Sequence, residues 1–298
     1  MHPQPDADVT VIIPALDRAE VLQRAIDSVR AQSIGARYLI VVDDGSTDAT
    51  AEIARSTGAT VIHHEEPQGS AEARNSGIEA ASTEWLAFLD SDDAWRPGHL
   101  AALLAASDGV DMVCSAVVDD FGRARGDLGG KRRELHPQDL FFPENLVSTS
   151  GVLLRTSVAK RLGGFRHVER AEDLDLWVRV IEAGRAVCIP DVSVLYSQPT
   201  RYPEADLHRR NLGGARHVID SFSGERWNTP RLRSRVATRE RWDELRFALH
   251  ADRSPIDALR LVGLALDPRR AGALARVLKY RRRARRVGTQ ALAEFAEH

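Results

Sequence analysis

Apolar and polar positions along the first hundred residues follow two rhythms in turn. Val9-Thr10-Val11-Ile12-Ile13 is a β-branched run that reads as a buried strand stopped by Pro14. Over residues 19–32 the spacing becomes helical, with Val21, Leu22, Ala25, Ile26 and Val29 on one stripe. Tyr38-Leu39-Ile40-Val41-Val42 is a second strand ending at Asp43-Asp44-Gly45, and Ser46-Thr47-Asp48 can cap a helix over 49–56. A third strand is predicted over 60–63, a third helix over 69–81 and a fourth strand over 85–89. Strands apolar on both faces and joined by helices imply an α/β fold, a mostly parallel sheet covered by helices on both sides. In such sheets ligands sit beyond the carboxyl ends of the strands. Polar residues gather there, at 14–18, 43–46 and 90–93.

The rhythm is less regular in the middle third. Residues 110–118 read as a strand, and 147–154 fit either a strand or a short helix. Residues 122–136, rich in glycine and charge, read as a mobile loop. A helix over 157–162 is closed by Gly163-Gly164. A second over 172–183 puts Leu174, Trp177, Val178 and Ile181 on one face and ends at Gly184. Short strands follow at 186–189 and 192–196. From about residue 201 strand signals vanish, Arg, Ala and Leu dominate, and Pro230, Pro255 and Pro268 mark breaks between helices. The expected organisation is an α/β domain over 1–200 and a helical extension over 201–298.

Composition narrows the picture. At 298 residues and 43% hydrophobic content the chain can build one large core with an appendage. A net charge of -2 does not indicate general nucleic-acid binding. Cys114 and Cys188 lie in apolar contexts without metal-type spacing and read as reduced core residues. The amino terminus lacks a basic start and an apolar stretch, and no run approaches the roughly 18 apolar residues of a membrane span. The expected location is the cytoplasm, with any membrane contact peripheral.

The chemistry concentrates in acids that end buried strands. Asp90-Ser91-Asp92-Asp93 follows the run 85–89 directly. Crowded carboxylates repel each other, and a hard divalent cation relieves that repulsion while leaving positions for substrate phosphates. The plain alternative is an acidic turn capping the next helix. Asp43-Asp44 can accept hydrogen bonds from a base or ribose, or form an Asx turn. Glu172-Asp173 at a helix start serves either the helix dipole or general-base chemistry. No dinucleotide-binding, P-loop or nucleophile-elbow motif is present. His63 and His64 read as strand-end polar residues, Trp177 as core and Trp95 as packing beneath a loop or lying near an acceptor.

In order and spacing these motifs resemble the family 2 glycosyltransferases. The matching residues are Val9 to Pro14 with Arg18, Ser28-Val29 with Gln32, Val42-Asp43-Asp44-Gly45-Ser46-Thr47-Asp48, Gly69, Ala73-Arg74-Asn75-Ser76-Gly77 and Phe88-Leu89-Asp90-Ser91-Asp92-Asp93. Gly163-Gly164-Phe165 and Ala171-Glu172-Asp173-Leu174-Asp175-Leu176-Trp177 follow. The resemblance covers about residues 8–200. It implies the Rossmann-like GT-A fold and inverting transfer of a sugar from a nucleotide-diphosphate sugar, UDP favoured. The implied acceptor is a glycan or lipid-linked molecule, as in polysaccharide and cell-envelope biosynthesis.

The resemblance also implies roles. The Pro14–Ala15 backbone and the Asp44 carboxylate would hold the base, with Asp43 nearby. Arg18, Arg74, Asp90 and Ser91 complete the nucleotide-sugar contacts. Asp90 and Asp92 would hold Mn²⁺ or Mg²⁺, and Asp173 would be the catalytic base. After residue 196 this chain departs from the family pattern, which often carries Arg or His there; His208 follows later. A sugar nucleotidyltransferase and an inactive nucleotide-sugar-binding relative are the competing readings. The apolar stretches 256–266 and 273–280 beside Arg281, Arg282, Arg283, Arg285 and Arg286 suit either packing on the catalytic domain, a homodimer contact, or an anionic membrane surface.

Overall fold

A computed structural model describes residues 6–143, 145–168, 171–197, 214–252, 263 and 267–296. The parallel half of the sheet is built from β1 (Ala7–Ala15), β2 (Ala36–Asp43), β3 (Thr60–His63) and β4 (Trp85–Phe88). Helices α1 (Leu22–Arg30), α2 (Thr50–Ser56) and α3 (Ser70–Ala80) connect them. The rest comprises β5 (Ala94–Trp95), α4 (His99–Ala105), β6 (Met112–Asp119), β7 (Ala124–Arg125), β8 (Arg133–Glu134), β9 (Val152–Arg155), α5 (Thr156–Arg161), α6 (Glu172–Ala183) and β10 (Ala186–Tyr196). Helices α7 (Gly214–Ser221), α8 (Pro230–Asp252) and α9 (Pro268–Ala296) follow.

The strand order is β3-β2-β1-β4-β9-β6-β10-β5, with β7 on β6 and β8 on β10. Strands β3, β2, β1 and β4 run parallel; β9 enters antiparallel between β4 and β6, and β10 is parallel to β6. The carboxyl ends of β1, β2, β4, β6 and β10 therefore share one rim. Alternation along β1 feeds two cores. Val9, Val11 and Ile13 pack with α1, α2 and α4, whereas Ile12 packs with α3, α5 and α6 on the other face. Helices α7 and α8 add Val218, Ile219, Leu232 and Val236 to this second core, around Phe88 and Trp177.

Three expectations change. Pro14 does not stop β1, which pairs through Ala15 with Asp43. The Ile12 carbonyl accepts Leu89 N–H, so Pro14, two residues on, turns its missing donor to the same side, beyond the last β4 pair. The segments 186–189 and 192–196 form one strand, because register shifts between Cys188 and Val194 absorb Pro190 and Asp191. The expected mobile loop 122–136 is held by β7, β8 and an Arg133 ion pair to Asp139 at 3.1 Å, with a second to Asp127. At 147–154 the structure uses both alternatives, a single 3-10 turn at Thr149–Gly151 running into β9. Cys114 and Cys188 are free thiols, buried and paired across β6 and β10. Pro255 and most of 256–266 lie outside the described residues.

Candidate active site

The end of β2 places Asp43 and Asp44 on the rim, but both carboxylates turn inward. Asp43, 0% exposed, accepts Ser46 N–H at 3.2 Å and the His63 Nδ1 proton at 2.7 Å. Asp44 accepts His64 Nδ1 at 2.7 Å, Gln68 N–H at 2.9 Å and Gly69 N–H at 2.8 Å. His64 Nε2 continues to Ser76 Oγ at 2.9 Å. The Asp44 carboxylate, expected to hold the base, accepts three of the chain's own donors, and with Asp43 it braces the loop that walls the site. Gly45, at φ +79°, makes that loop possible: a Cβ would sit 2.9 Å from Glu66 and Pro67. At the start of α2 the cap position is Ala49, which supplies no side-chain bond; Asp48 before it accepts Thr50 N–H at 2.9 Å, and Ser46 and Thr47 bond Asp17. Ala15, at the end of β1, joins this wall through its carbonyl, which accepts Asp44 N–H at 2.8 Å.

The end of β4 differs. Asp90 and Asp92 stand two residues apart with side chains 28% and 23% exposed, and Ser91 between them is buried. Burial raises the Asp92 pKa above its ordinary range and repulsion from Asp90 adds to it, offset in part by Arg18 and Arg24. Arg18 Nη2 approaches Asp92 at 3.7 Å from the β1–α1 loop. Asp93 faces away and is fully buried. Its Oδ2 accepts Ser150 Oγ–H at 2.5 Å and its Oδ1 accepts Ser197 N–H at 2.9 Å. Ser150 Oγ also accepts Asp90 N–H at 3.1 Å. Burial pushes the Asp93 carboxyl well above the usual range, and Asp90 and Asp92 add to the push. Trp95 is core beneath this loop, donating Nε1–H to the Ser150 carbonyl at 2.7 Å.

The third element is the start of α6. Ala171 occupies the left-handed region at φ +67°, a strained conformation for alanine, immediately before Glu172 and Asp173. Burial raises the Asp173 pKa and Glu172 adds to it, against Leu174 N–H, Arg74 and Arg125. Arg74 ties α6 to the β4 loop: its Nη2 bonds Asp90 at 2.6 Å and its Nη1 bonds Glu172 at 3.3 Å. Burial opposes the Arg74 charge, but Asp90, Glu172 and Asp173 outweigh it and raise the pKa. The next residue, Asn75, accepts Phe165 N–H at 2.8 Å and donates to its carbonyl at 2.9 Å. Gly164, at φ +64°, is required there because a side chain would run into Asn75. Thus 73–77, 90–93, 163–165 and 171–173 meet in one place.

Among the described residues no three His, Cys, Asp or Glu side chains form a closed metal site. Two half-shielded carboxylates with an unfavourable mutual repulsion nevertheless fit a Mg²⁺ or Mn²⁺ whose other ligands are water and substrate phosphate. Asp93 is not part of that donor set, since both its oxygens bond the protein. Residues 198–213, including His208, lie outside the described residues, as does Arg170.

Sequence reading missed several participants. Arg24 bonds the Asp92 carbonyl and Ser197 Oγ, the latter at 2.7 Å. Thr149 Oγ1 lies 3.4 Å from Asp173 Oδ2. Arg125 on β7 lies over the Tyr196 ring at 5.0 Å, and its charge lowers the pKa of Asp173. The histidines had a usable signal: Asp43-Asp44 and His63-His64 end neighbouring parallel strands in the register Asp43↔His63.

Comparison with known proteins agrees with this geometry. Residues 10–162 match Glycosyl transferase family 2. Pre-mycofactocin glycosyltransferase of Mycobacterium tuberculosis is 32% identical over 205 residues, 61% of this chain and 42% of that protein. The chain thus spans less than half the length of that relative. Succinoglycan biosynthesis protein ExoU of Rhizobium meliloti is 30% identical over 269 residues, 78% of this chain and 77% of ExoU. The mannosyltransferase PcManGT of Pyrobaculum calidifontis, solved with GDP-Man and Mn²⁺, shares the fold at TM-score 0.63 and 20% identity, over 95% of this chain and 87% of that one. S. aureus TarS 1-349, solved with UDP-GlcNAc, aligns at TM-score 0.61 and 16% identity, over 95% and 92%. The fold likeness therefore extends beyond the expected boundary at residue 200. With the α/β sheet, the acids on its rim and these matches together, the chain belongs to glycosyl transferase family 2.

Proposed function

We propose that the chain is an inverting glycosyltransferase that moves a sugar from a nucleotide-diphosphate sugar, UDP-linked by preference, to a hydroxyl of a glycan or lipid-linked acceptor. The observation that carries this reading is the Arg74 bridge, which sets Asp90 and Asp92 beside the start of α6 with Asp173. The nucleoside lies against Pro14 and Ala15 and the loop braced by Asp43 and Asp44. Arg18 and Arg74, on either side of the β4 acids, face the diphosphate. A divalent metal on Asp90 and Asp92, when bound, supplies charge for the leaving diphosphate.

Asp173 takes the proton of the acceptor hydroxyl as that oxygen attacks the anomeric carbon. The bond to the diphosphate breaks on the opposite side, so configuration inverts in one displacement. A buried carboxylate with a raised pKa is a better base than a solvated one. Helices α7 and α8 extend the core around Phe88 and Trp177, while α9 packs on the β6–β7 hairpin and on α8. No helix among the described residues is long and apolar enough to cross a membrane. We place the protein in the cytoplasm, peripheral to the membrane's inner face, where a lipid-linked acceptor would be met.

The test is Asp173→Asn. It should lower kcat by roughly 10²–10⁴-fold with donor affinity nearly intact. A near-normal kcat would return Glu172 and Asp173 to a helix-capping role. The anomeric configuration of the product, read by NMR, tests inversion separately.

A further inference from the structure

Helix α9 lies across the β6–β7 hairpin. Its inner face buries Ala273, Leu274, Val277, Ala284 and Ala291. Tyr280 Oη accepts Gly126 N–H at 3.1 Å, and Gly288 meets the Gly122 carbonyl so closely that no side chain fits. Within the 273–280 stretch, Leu274 packs on Leu245 and Trp242 of α8, and Tyr280 packs on the β6–β7 hairpin. The arginine run divides. Arg281 turns inward to Asp243 at 2.7 Å, while Arg282, Arg283, Arg285 and Arg286 are exposed and form no ion pair among the described residues.

The helical repeat lines up Leu278, Arg282, Arg285 and Thr289 on the outer face, with Lys279 and Arg286 beside them. All are exposed, Leu278 by 44%. At the end of this row the hairpin tip rests on the helix, Gly122 packing against Thr289. Beside it Phe121 is 69% exposed, with the Arg123 guanidinium 4.9 Å over its ring. Asp119 is engaged by Arg123 at 2.7 Å, and the exposed Asp120 offsets one positive charge. The tip springs from the carboxyl end of β6, the same rim that carries Asp90 and Asp92.

A chain of net charge -2 that collects this much exposed positive charge on one face does not owe it to an overall excess. Arginines interleaved with an exposed Phe and Leu suit an interface in which guanidinium groups meet phosphates and apolar tips enter the acyl boundary. A polyanion such as RNA would use the arginines and leave Leu278 in water. We infer that the 121–123 hairpin tip and the outer face of α9 form one contact surface for an anionic bilayer, holding the catalytic rim at the headgroups. This inference concerns the surface alone and does not require the catalytic reading.

The test is cosedimentation of the full chain with vesicles of phosphatidylcholine, with and without phosphatidylglycerol. Binding is expected only with the anionic lipid and should weaken as salt rises. A variant combining R282Q, R285Q and R286Q should bind roughly 100-fold more weakly, at about fivefold per arginine near the surface. Phe121→Ser should weaken binding roughly tenfold. Circular dichroism and thermal melting verify that both variants are folded. Failure of the unmodified protein to bind anionic vesicles at low ionic strength overturns the inference, as does undiminished binding by the triple variant. So does a polyuridine ligand that competes fully with vesicles while Phe121→Ser binds normally, which marks a nucleic-acid surface. Nucleotide-sugar binding, measured on the same samples, reports on the catalytic reading independently.

Discussion

The carboxyl ends of β2 and β4 both carry acids after a buried apolar strand, Asp43-Asp44 at one and Asp90-Ser91-Asp92-Asp93 at the other, yet Asp43 and Asp44 are treated in the opposite way to Asp90 and Asp92. At β2 every carboxylate oxygen has a donor: His63 and Ser46 for Asp43, and His64, Gln68 and Gly69 for Asp44. At β4 Asp90 meets one arginine and Asp92 is only approached by another at 3.7 Å. A carboxylate with both oxygens held by the chain's own donors fixes a loop; an under-compensated pair of acids favours a cationic ligand. The neighbouring segment decides which, since the end of β3 brings two histidines to β2, whereas the 3-10 turn before β9 brings Ser150, which engages Asp93 and the Asp90 backbone instead.

The largest expected effect is at β4. Asp92→Ala should lower transfer by roughly 10³-fold or more and remove the metal dependence of nucleotide binding, because it takes one oxygen donor from a sparse set. Wild-type, metal-dependent turnover in this variant would break the comparison. Asp44→Asn should act on stability instead. One amide oxygen cannot serve Gln68 N–H, Gly69 N–H and His64 together, so about 1–3 kcal/mol is lost. Chemical denaturation measures this, and metal dependence should persist.

Asp93→Asn sharpens the contrast within the β4 loop. It disturbs the bridge between Ser150 and Ser197 without touching a proposed ligand. Roughly tenfold weaker apparent metal affinity with a smaller change in donor KM is expected. Metal affinity unchanged in a folded Asp93→Asn protein would reduce that bridge to packing.

The smallest effect is in pH. Burial and Glu172 raise the folded-state pKa of Asp173, so the ionised form is disfavoured by folding. Activity should therefore fall, as pH drops, through a value above the roughly 3.9 of an ordinary Asp. Glu172→Gln should move that limb to lower pH. The same sign applies to stability: above the raised pKa the charge opposes folding, so Asp173→Asn should melt no lower than the unmodified protein at neutral pH. A lower melting temperature would contradict the assigned shift.

Local signals carried much of this. The short apolar runs located β1 to β4, and the apolar stripe with Gly184 located α6 to the residue. Strands β7 and β8, two residues each, have no periodicity to detect, and Pro190 concealed the continuity of β10. At the site, residue types and order marked Asp90, Asp92 and Asp173. Partnerships across 20 to 104 residues, His64 with Asp44 or Ser197 with Asp93, depend on register and loop placement, which linear spacing does not encode.

The central claim is that the β4 acids bind while the β2 acids brace, and one measurement addresses both. Thermal melting of the unmodified protein, Asp92→Ala and Asp44→Asn is followed with nucleoside diphosphate, with and without Mn²⁺. The account predicts a Mn²⁺-dependent rise in the unmodified protein, its loss in Asp92→Ala, and a lower baseline with the rise retained in Asp44→Asn. A full Mn²⁺-dependent rise in Asp92→Ala, or its disappearance in a folded Asp44→Asn protein, would contradict it.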